Sequence, residues 1–256
     1  MKLRPFWRYY GGKWAAARWY PGPRYDTIIE PFAGAAGYSC HYPDRRVILV
    51  DKSPVICGIW RWLISVEPAE VLAIPDIPEG GTVDDLPCCQ EARWLAGFWC
   101  GQGLASPRPR PTRWVREPHP GMWRSDSLGW CARNREKIAR QVQRIRHWQV
   151  IEGDYRDAPD IEATWHVDPP YQVGGRRYPN RLAAEDYAAL GDWCRMLRGQ
   201  VMVCEQEGAD WLPFVPLAEI KATCGKQKGK RTTSREVVWP GEGTQVRLFG
   251  GDSCPS

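Results

Sequence analysis

The chain has no apolar run long enough to span a membrane, and its opening residues, Met1-Lys2-Leu3-Arg4-Pro5-Phe6-Trp7-Arg8, contain no apolar signal core. Export and insertion are therefore not expected. A zinc framework is missing too. None of the ten cysteines belongs to a CxxC pair or to a Cys/His array with zinc spacing. They read as scattered reduced thiols of a cytosolic protein, with Cys88-Cys89 an incidental neighbour pair. The four histidines, His41, His119, His147 and His166, share no spacing that suggests a triad or a metal site, so no metal is expected. His166 falls within an apolar strand and reads as structural. There is no internal repeat. Surplus charge is small: a net charge of +5 does not by itself imply a nucleic-acid partner.

What is present is an ordinary globular composition, 43% hydrophobic and 25% charged over 256 residues. That length suits one domain, or one domain with a substantial insertion. A chain of this size buries roughly 70–75% of its unfolded surface, so it can fold without metals or disulfides. The 15 tryptophans are the unusual feature. Most are expected in the core or a groove, with a minority free to stack on bases.

Short β-branched runs alternate with helical patterns, which predicts an α/β fold with a largely parallel sheet. The expected strands lie at 27–29, 47–50, 148–151, 164–167 and 201–204, with later ones near 237–239 and 246–249. Ser53 is a good N-cap and Pro54 a good first residue for the helix after the second strand. A second helix is predicted over 183–198. Tyr187, Leu190, Cys194 and Leu197 share one of its faces and Gly199 stops it. Between about Glu67 and Gly129 the chain becomes rich in proline and glycine, and the α/β alternation breaks. The expected organisation is therefore a catalytic α/β domain in two parts, 1–66 and 146–256, around an inserted, mainly helical or irregular region at 67–145.

Three stretches carry chemistry. In Asp26-Thr27-Ile28-Ile29-Glu30-Pro31-Phe32-Ala33-Gly34-Ala35-Ala36-Gly37, a strand enters a turn of small residues, where a ligand can approach the backbone. The next strand ends in Asp51, one βαβ step later, where an acid can take ribose hydroxyls. The third is Val167-Asp168-Pro169-Pro170-Tyr171, which follows an apolar strand. Two prolines hold an extended turn there and expose the Asp168 carboxylate and the Pro169 carbonyl as acceptors, with Tyr171 as a flat face beside them. That set suits a planar substrate bearing an NH2 group. Accepting both amine hydrogens localises a lone pair that the ring otherwise delocalises, and Asp168 offsets positive charge developing on the nitrogen.

With these residues in this order, the chain resembles the Dam-like DNA adenine N6-methyltransferases, whose order is cofactor motif, recognition insert, then DPPY. Phe6-Trp7-Arg8-Tyr9-Tyr10-Gly11-Gly12-Lys13 resembles the family's opening GGK segment. Glu30-Pro31-Phe32-Ala33-Gly34 is similar to its cofactor loop, Asp51 to its ribose-binding acid, and Gly153-Asp154-Tyr155 to the segment before its catalytic strand. The resemblance covers 1–66 and about 146–239. It implies a Rossmann-like S-adenosylmethionine-dependent methyltransferase sheet, S-adenosyl-L-methionine as cofactor, and site-specific transfer to adenine in DNA, expected to be double-stranded, with the target base flipped out.

By the same resemblance, Phe32, Ala33 and Gly34 would wrap the methionine and ribose part of the cofactor, and Asp51 would bind the ribose. Asp154, with the Tyr155 backbone, would read its adenine. Lys13 would pair with its carboxylate and Tyr9 would line the pocket. Asp168, Pro169, Pro170 and Tyr171 would form the catalytic motif, with Tyr171 stacking on the base. The family's FxGxG pattern is broken at Ala36, which adds one methyl group near the expected cofactor.

Arg108, Arg110, Arg113 and Arg116, with Trp114, Trp123 and Arg124, form a basic and aromatic stretch suited to phosphates and bases. A solvated, proline-stiffened loop is the plainer reading. The next helix should turn Ile138, Val142 and Ile145 inward, with Arg133, Arg135, Lys137, Arg140 and Arg144 on its other faces as an exposed or phosphate-tracking surface. The segment 172–181, with Arg176 and Arg177, is expected to close over a flipped base. The segment 221–235, with Lys226, Lys228, Lys230 and Arg231, is expected as a flexible basic loop that grips the backbone. RNA adenine or cytosine N4 remain open as targets, although Asp at 168 leans toward adenine by resemblance. An inactive nucleic-acid-binding relative and a nicotinamide dehydrogenase are the other readings, and the dehydrogenase leaves 168–171 unexplained. A solitary monomer in a bacterial or phage-infected cell is the expected setting.

Overall fold

The computed structural model describes residues 2–116, 129–173, 178, 182–227, 230–241 and 244, with the backbone course alone for 220–227 and 230–234. A seven-stranded sheet forms the centre. Its strands are β1 (Thr27–Glu30), β2 (Arg46–Asp51), β3 (Gln149–Glu152), β4 (Ala163–Val167), β5 (Gly199–Gln206), β6 (Val215–Gln227) and β7 (Lys230–Pro240). Their spatial order is β3-β2-β1-β4-β5-β7-β6. The first five are mutually parallel, and β7 runs antiparallel to both β5 and β6. The fold is thus α/β with a mostly parallel mixed sheet, compatible with a Rossmann-like arrangement. β4, Ala163-Thr164-Trp165-His166-Val167, is buried along its whole length, as a central parallel strand covered on both faces must be.

The helices are α1 (Pro54–Ser65), α2 (Pro68–Ala73), α3 (Gln90–Phe98), α4 (Arg113–Arg116), α5 (Ala132–Val142) and α6 (Asp186–Met196). Ser53 caps α1: its hydroxyl accepts from the Ile56 N–H at 3.4 Å, and Pro54 takes the first position. Ile56, Ile59, Trp60 and Leu63 recur at helical spacing and are buried. At the other end Arg146 donates to the carbonyls of Ile64 and Val66, both at 2.8 Å, and so satisfies groups that the helix leaves open. Trp60 is wholly buried among Phe6, Trp7 and Trp148. Truncating it to alanine would cost about 3–5 kcal/mol.

Strands are present at the expected places up to 239, while 246–249 lies outside the described residues. Three expectations are corrected. The helix predicted over 183–198 spans only Asp186–Met196, because Leu197 is already extended. Gly199 instead begins β5 at φ +106, where a Cβ would lie 2.3 Å from the Ala163 carbonyl oxygen. Second, most of the segment 221–235 is not a loop. Its backbone forms the ends of β6 and β7, paired Lys221 to Thr233 and Gln227 to Lys230. Third, Arg135 is not on an exposed face of α5. It is buried, pairing with Asp76 at 2.5 Å beside Trp130. Ile138, Val142 and Ile145 do point inward.

The segment 67–145 carries four of the helices, α2 to α5, and no strand among its described residues. Its apolar residues Val71, Leu95, Phe98, Trp130 and Ile138 join one core with Leu3, Trp7, Ile28, Leu49 and Trp60 from the sheet side. A second core on the opposite face of the sheet holds Ile29, Ile48, Trp165, Leu190 and Val203. Among the described residues no helix is long and apolar enough to cross a membrane.

Candidate functional site

The site is built where β1 and β2 end. After Glu30 the chain turns back so that the Ala33 N–H donates to the Val50 carbonyl at 2.9 Å. Asp51 then ties two elements together. Its Oδ2 accepts from the Gly34 N–H and its Oδ1 from the Ser53 N–H, both at 2.9 Å. One carboxylate therefore fixes the first loop and the start of α1. Burial pushes its pKa up, against the pull of those two donors. From α1 the Trp60 indole donates to the Gly34 carbonyl at 2.8 Å. Gly34 sits at φ +45, and a Cβ there would approach the Tyr9 ring to 2.9 Å, so glycine is required on both counts.

These residues wall a cavity of about 720 Å³, a size typical of cofactor sites. It lies beyond the C-terminal ends of β1, β2, β3 and β4. The strand order reverses between β1 and β4, which is where open α/β sheets bind ligands. All eight expected cofactor residues line it: Tyr9, Lys13, Phe32, Ala33, Gly34, Asp51, Asp154 and Tyr155. Phe32 and Tyr155 stack at 5.5 Å. Asp154 is paired with two cations, Lys52 Nζ at 2.9 Å and Arg156 Nε at 2.6 Å. Partial burial opposes ionisation there, but the two cations outweigh it and hold the carboxyl at about 2.

Asp168 and Pro170 reach the same cavity from the end of β4. Lys13, which also lines the cavity, is tied to this motif. Its ammonium lies 3.0 Å from Asp168 Oδ1, donates to the Gly11 carbonyl at 2.7 Å and sits 4.4 Å above the Tyr171 ring. Burial alone would lower the pKa of Lys13; Asp168 and Glu236 outweigh it and hold the ammonium above its ordinary value. Burial raises Asp168, and Lys13 counters that rise. Tyr171 and Pro169 do not line the cavity. One ring face of Tyr171 is covered by Lys13, and its hydroxyl donates to Glu236 Oε2 at 2.6 Å. Pro170 is held by Tyr187, whose hydroxyl donates to its carbonyl at 2.8 Å.

Sequence reasoning missed several wall residues. Tyr178 lines the cavity beside Tyr9 and Tyr10, and its hydroxyl donates to the Tyr10 carbonyl at 3.1 Å. A Cβ on Gly11 would collide with that hydroxyl, which explains one glycine of the Gly11-Gly12 pair. Lys52, Leu182 and Asp186 also line the cavity. Adjacency to Asp51 was the only sequence signal for Lys52. The departure at Ala36 is also corrected. Ala36 is fully buried in the core and does not line the cavity, so its methyl is turned away from a ligand. Its cost is conformational, since it is the only described non-glycine residue at positive φ, +46. Gly37 carries the close approach: a Cβ there would lie 2.6 Å from the Trp14 nitrogen.

Ala105, Ser106 and Pro107 also line the cavity. Arg108, Arg110, Arg113 and Arg116 follow directly and are exposed. This stretch is tied down by its backbone: Arg108 N–H donates to Gly97 at 3.1 Å, and Thr112 N–H to Cys100 at 2.7 Å. Arg124, Arg176, Arg177 and Lys228 lie outside the described residues. For Lys226, Lys230 and Arg231 only the strand backbone is described. Among the described residues no cluster of His, Cys, Asp and Glu could hold a metal ion. No protein-family model matches the chain, and a search of curated proteins returns no match.

Proposed function

We propose that this protein is a DNA adenine N6-methyltransferase that uses S-adenosyl-L-methionine. The observation that carries the reading is the convergence of separate motifs on one cavity. The Phe32-Ala33-Gly34 loop, Asp51, the Asp154-Tyr155 turn and Asp168 come from four strands and meet at the reversal of strand order. The donor set fits the group. Gly34 forms a cradle that a Cβ would fill, Asp51 offers a carboxylate to hydroxyls, and Phe32 and Tyr155 offer aromatic faces. When bound, the cofactor supplies an electrophilic methyl carbon. The antiparallel β7 between β5 and β6 departs from the six-stranded parallel order of a nicotinamide dehydrogenase.

Asp168 accepts a hydrogen bond from the target amine and offsets positive charge that develops on its nitrogen. Lys13 holds that carboxylate in position through Oδ1. Tyr9, Tyr178 and Phe32 line the cavity around it and offer aromatic surface there. A base inside a duplex cannot reach a recessed carboxylate, so the reading requires base flipping. The exposed arginines 108, 110, 113 and 116, which follow the lining residues 105–107 in the chain, supply sequence-independent grip on phosphates.

The test is to express the chain in cells lacking adenine methylation and map modified bases in their DNA, with Asp168→Ala as control. Methyladenine at one sequence motif is expected, with transfer by the variant reduced on the order of 10²–10³-fold or more and cofactor binding retained. Modified cytosine, or methylation confined to RNA, would change the substrate. A variant as active as the wild type would overturn the role of Asp168.

A further inference from the structure

Directly behind Asp168 lies a polar cluster that the reaction described above does not use. His166 lies near the end of β4 and Asp168 two residues on, just past the strand, where continued alternation sends both side chains to one side. The His166 ring is completely buried. Its Nδ1 lies 3.4 Å from Glu30 Oε2, at the end of β1, and its Nε2 lies 3.3 Å from Cys204 Sγ, on β5. Tyr38 stacks on the ring at 4.7 Å with planes 6° apart, and Tyr20 meets it edge-on at 5.1 Å. Glu30 is itself buried and accepts from the Ser39 N–H at 2.8 Å, so it also fixes the chain beyond the first loop.

The neighbourhood is unbalanced in charge. Glu30, Asp168 and Glu236 bring three carboxylates into the protein interior around Lys13, the ammonium that faces Asp168 and Glu236. A fourth buried carboxyl, Glu205, also acts on Asp168 but is pushed up to about 7 by burial and is left out of the cluster's charge count. Buried carboxylates persist only when paired. We propose that His166 is a positioning residue: an imidazolium, clamped between Glu30 and Cys204, that supplies a second buried cation behind Asp168. With it the cluster carries one net negative charge; with a neutral ring it carries two.

Chemistry and geometry agree with this assignment. Burial works against the charged ring, while the Cys204 sulfur as an acceptor for Nε2–H and the Glu30 carboxylate 3.4 Å from Nδ1 favour it and raise the imidazole above its ordinary value. Burial also pushes the Cys204 thiol up, so the sulfur stays neutral and Glu30 is the counter-ion. The competing state is a neutral ring that donates from Nδ1 to Glu30 and accepts from the Cys204 S–H. It satisfies the same two contacts and differs only in one proton.

The consequence for transfer rests on the methyltransferase reading, whereas the charge state does not. Nitrogen NMR of the full chain labelled at histidine separates the two states. A His119→Gln, His147→Gln variant retains His41 and His166 and leaves the cluster intact. Burial lowers the pKa of His41, so at pH 8 its ring is neutral. A ring protonated on both nitrogens at pH 8 is then His166, and this is the expected result. Two neutral rings at pH 8 would overturn the proposal. The second arm compares pH profiles of methyl transfer for wild type and His166→Asn. Without the imidazolium Asp168 takes up a proton more readily, and the acid limb should move up by about one pH unit. A limb that does not move, with folding intact, would remove the positioning role. A chain that transfers no methyl group under any condition counts against the proposed function, and the spectrum still decides the charge.

Discussion

Gly37→Ala and Ala36→Gly are opposite single-methyl edits of adjacent residues, and the backbone gives them very different costs. At Gly37 the added Cβ would meet the Trp14 nitrogen at 2.6 Å and the Lys13 carbonyl carbon at 2.9 Å. Both are main-chain atoms, so no rotamer change relieves the clash. Overpacking of this kind costs about 1–3 kcal/mol, and the upper half of that range is expected here. The displaced segment carries Lys13, so the Lys13–Asp168 pair should loosen as well. At Ala36 glycine would relieve about 1–2 kcal/mol of left-handed strain. It would forfeit about 0.8 kcal/mol of methyl burial and about 0.4–1 kcal/mol through a more flexible unfolded chain. These offset one another to within about 1 kcal/mol. Urea unfolding followed by tryptophan fluorescence measures both variants. A Gly37→Ala protein as stable as the wild type would refute the close-approach argument. An Ala36→Gly change larger than about 2 kcal/mol in either direction would refute the balance at that position.

Three further outcomes follow from the charged groups. Asp154 is held near pH 2 by Lys52 and Arg156, so its pairing stabilises the fold fully above the ordinary aspartate range and is lost as pH falls from about 4 toward 2. Both cations are largely exposed, so the contribution should be only about 1 kcal/mol; urea midpoints of wild type and Asp154→Asn should converge at low pH. Glu205 is pushed up to about 7 by burial while it accepts from the Gln172 N–H at 2.5 Å. Its folded state binds the proton more tightly than the unfolded chain, so its contribution to stability falls as pH rises from about 4.5 through 7. The Trp211 indole N–H, 3.5 Å from its Oε1, should report that titration as an NMR shift absent in Glu205→Gln. Lys13→Met strips Asp168 of its ammonium and should destabilise the chain by about 3–5 kcal/mol, measured by chemical denaturation; a loss under 1 kcal/mol would show that the pair is dispensable.

Much of the sheet was legible because parallel strands buried on both faces are short, continuous and β-branched, as in Val47-Ile48-Leu49-Val50. The cavity was legible for a related reason: its residues sit at strand ends, where a turn signal and an acid coincide, as at Asp51. The hairpin was misread because Lys221 to Arg235 has the composition of a loop, while its pairing comes from the neighbouring β5 and from β7 folding back on β6. The orientation of Tyr171 was equally hidden. Whether a ring faces a cavity or a buried ammonium depends on Lys13 and Glu236, which lie far away in sequence. Arg135 was read as surface from its charge, and only its contact with Asp76, 59 residues distant, explains its burial.

The shared core beneath α1 has a consequence for how the protein can change. Leu95, Phe98 and Ile138 fill the space against Trp7 and Trp60 that the sheet side would otherwise leave empty. The segment 67–145 is therefore no cassette. Transplanting a homologous stretch into this scaffold, or this stretch into another, would carry half of a jigsaw without its counterpart. Substitution is better tolerated at exposed side chains such as Arg108 and Arg110. The apolar residues of the segment, by contrast, pack in one core with Trp60, whose indole also holds the Gly34 loop.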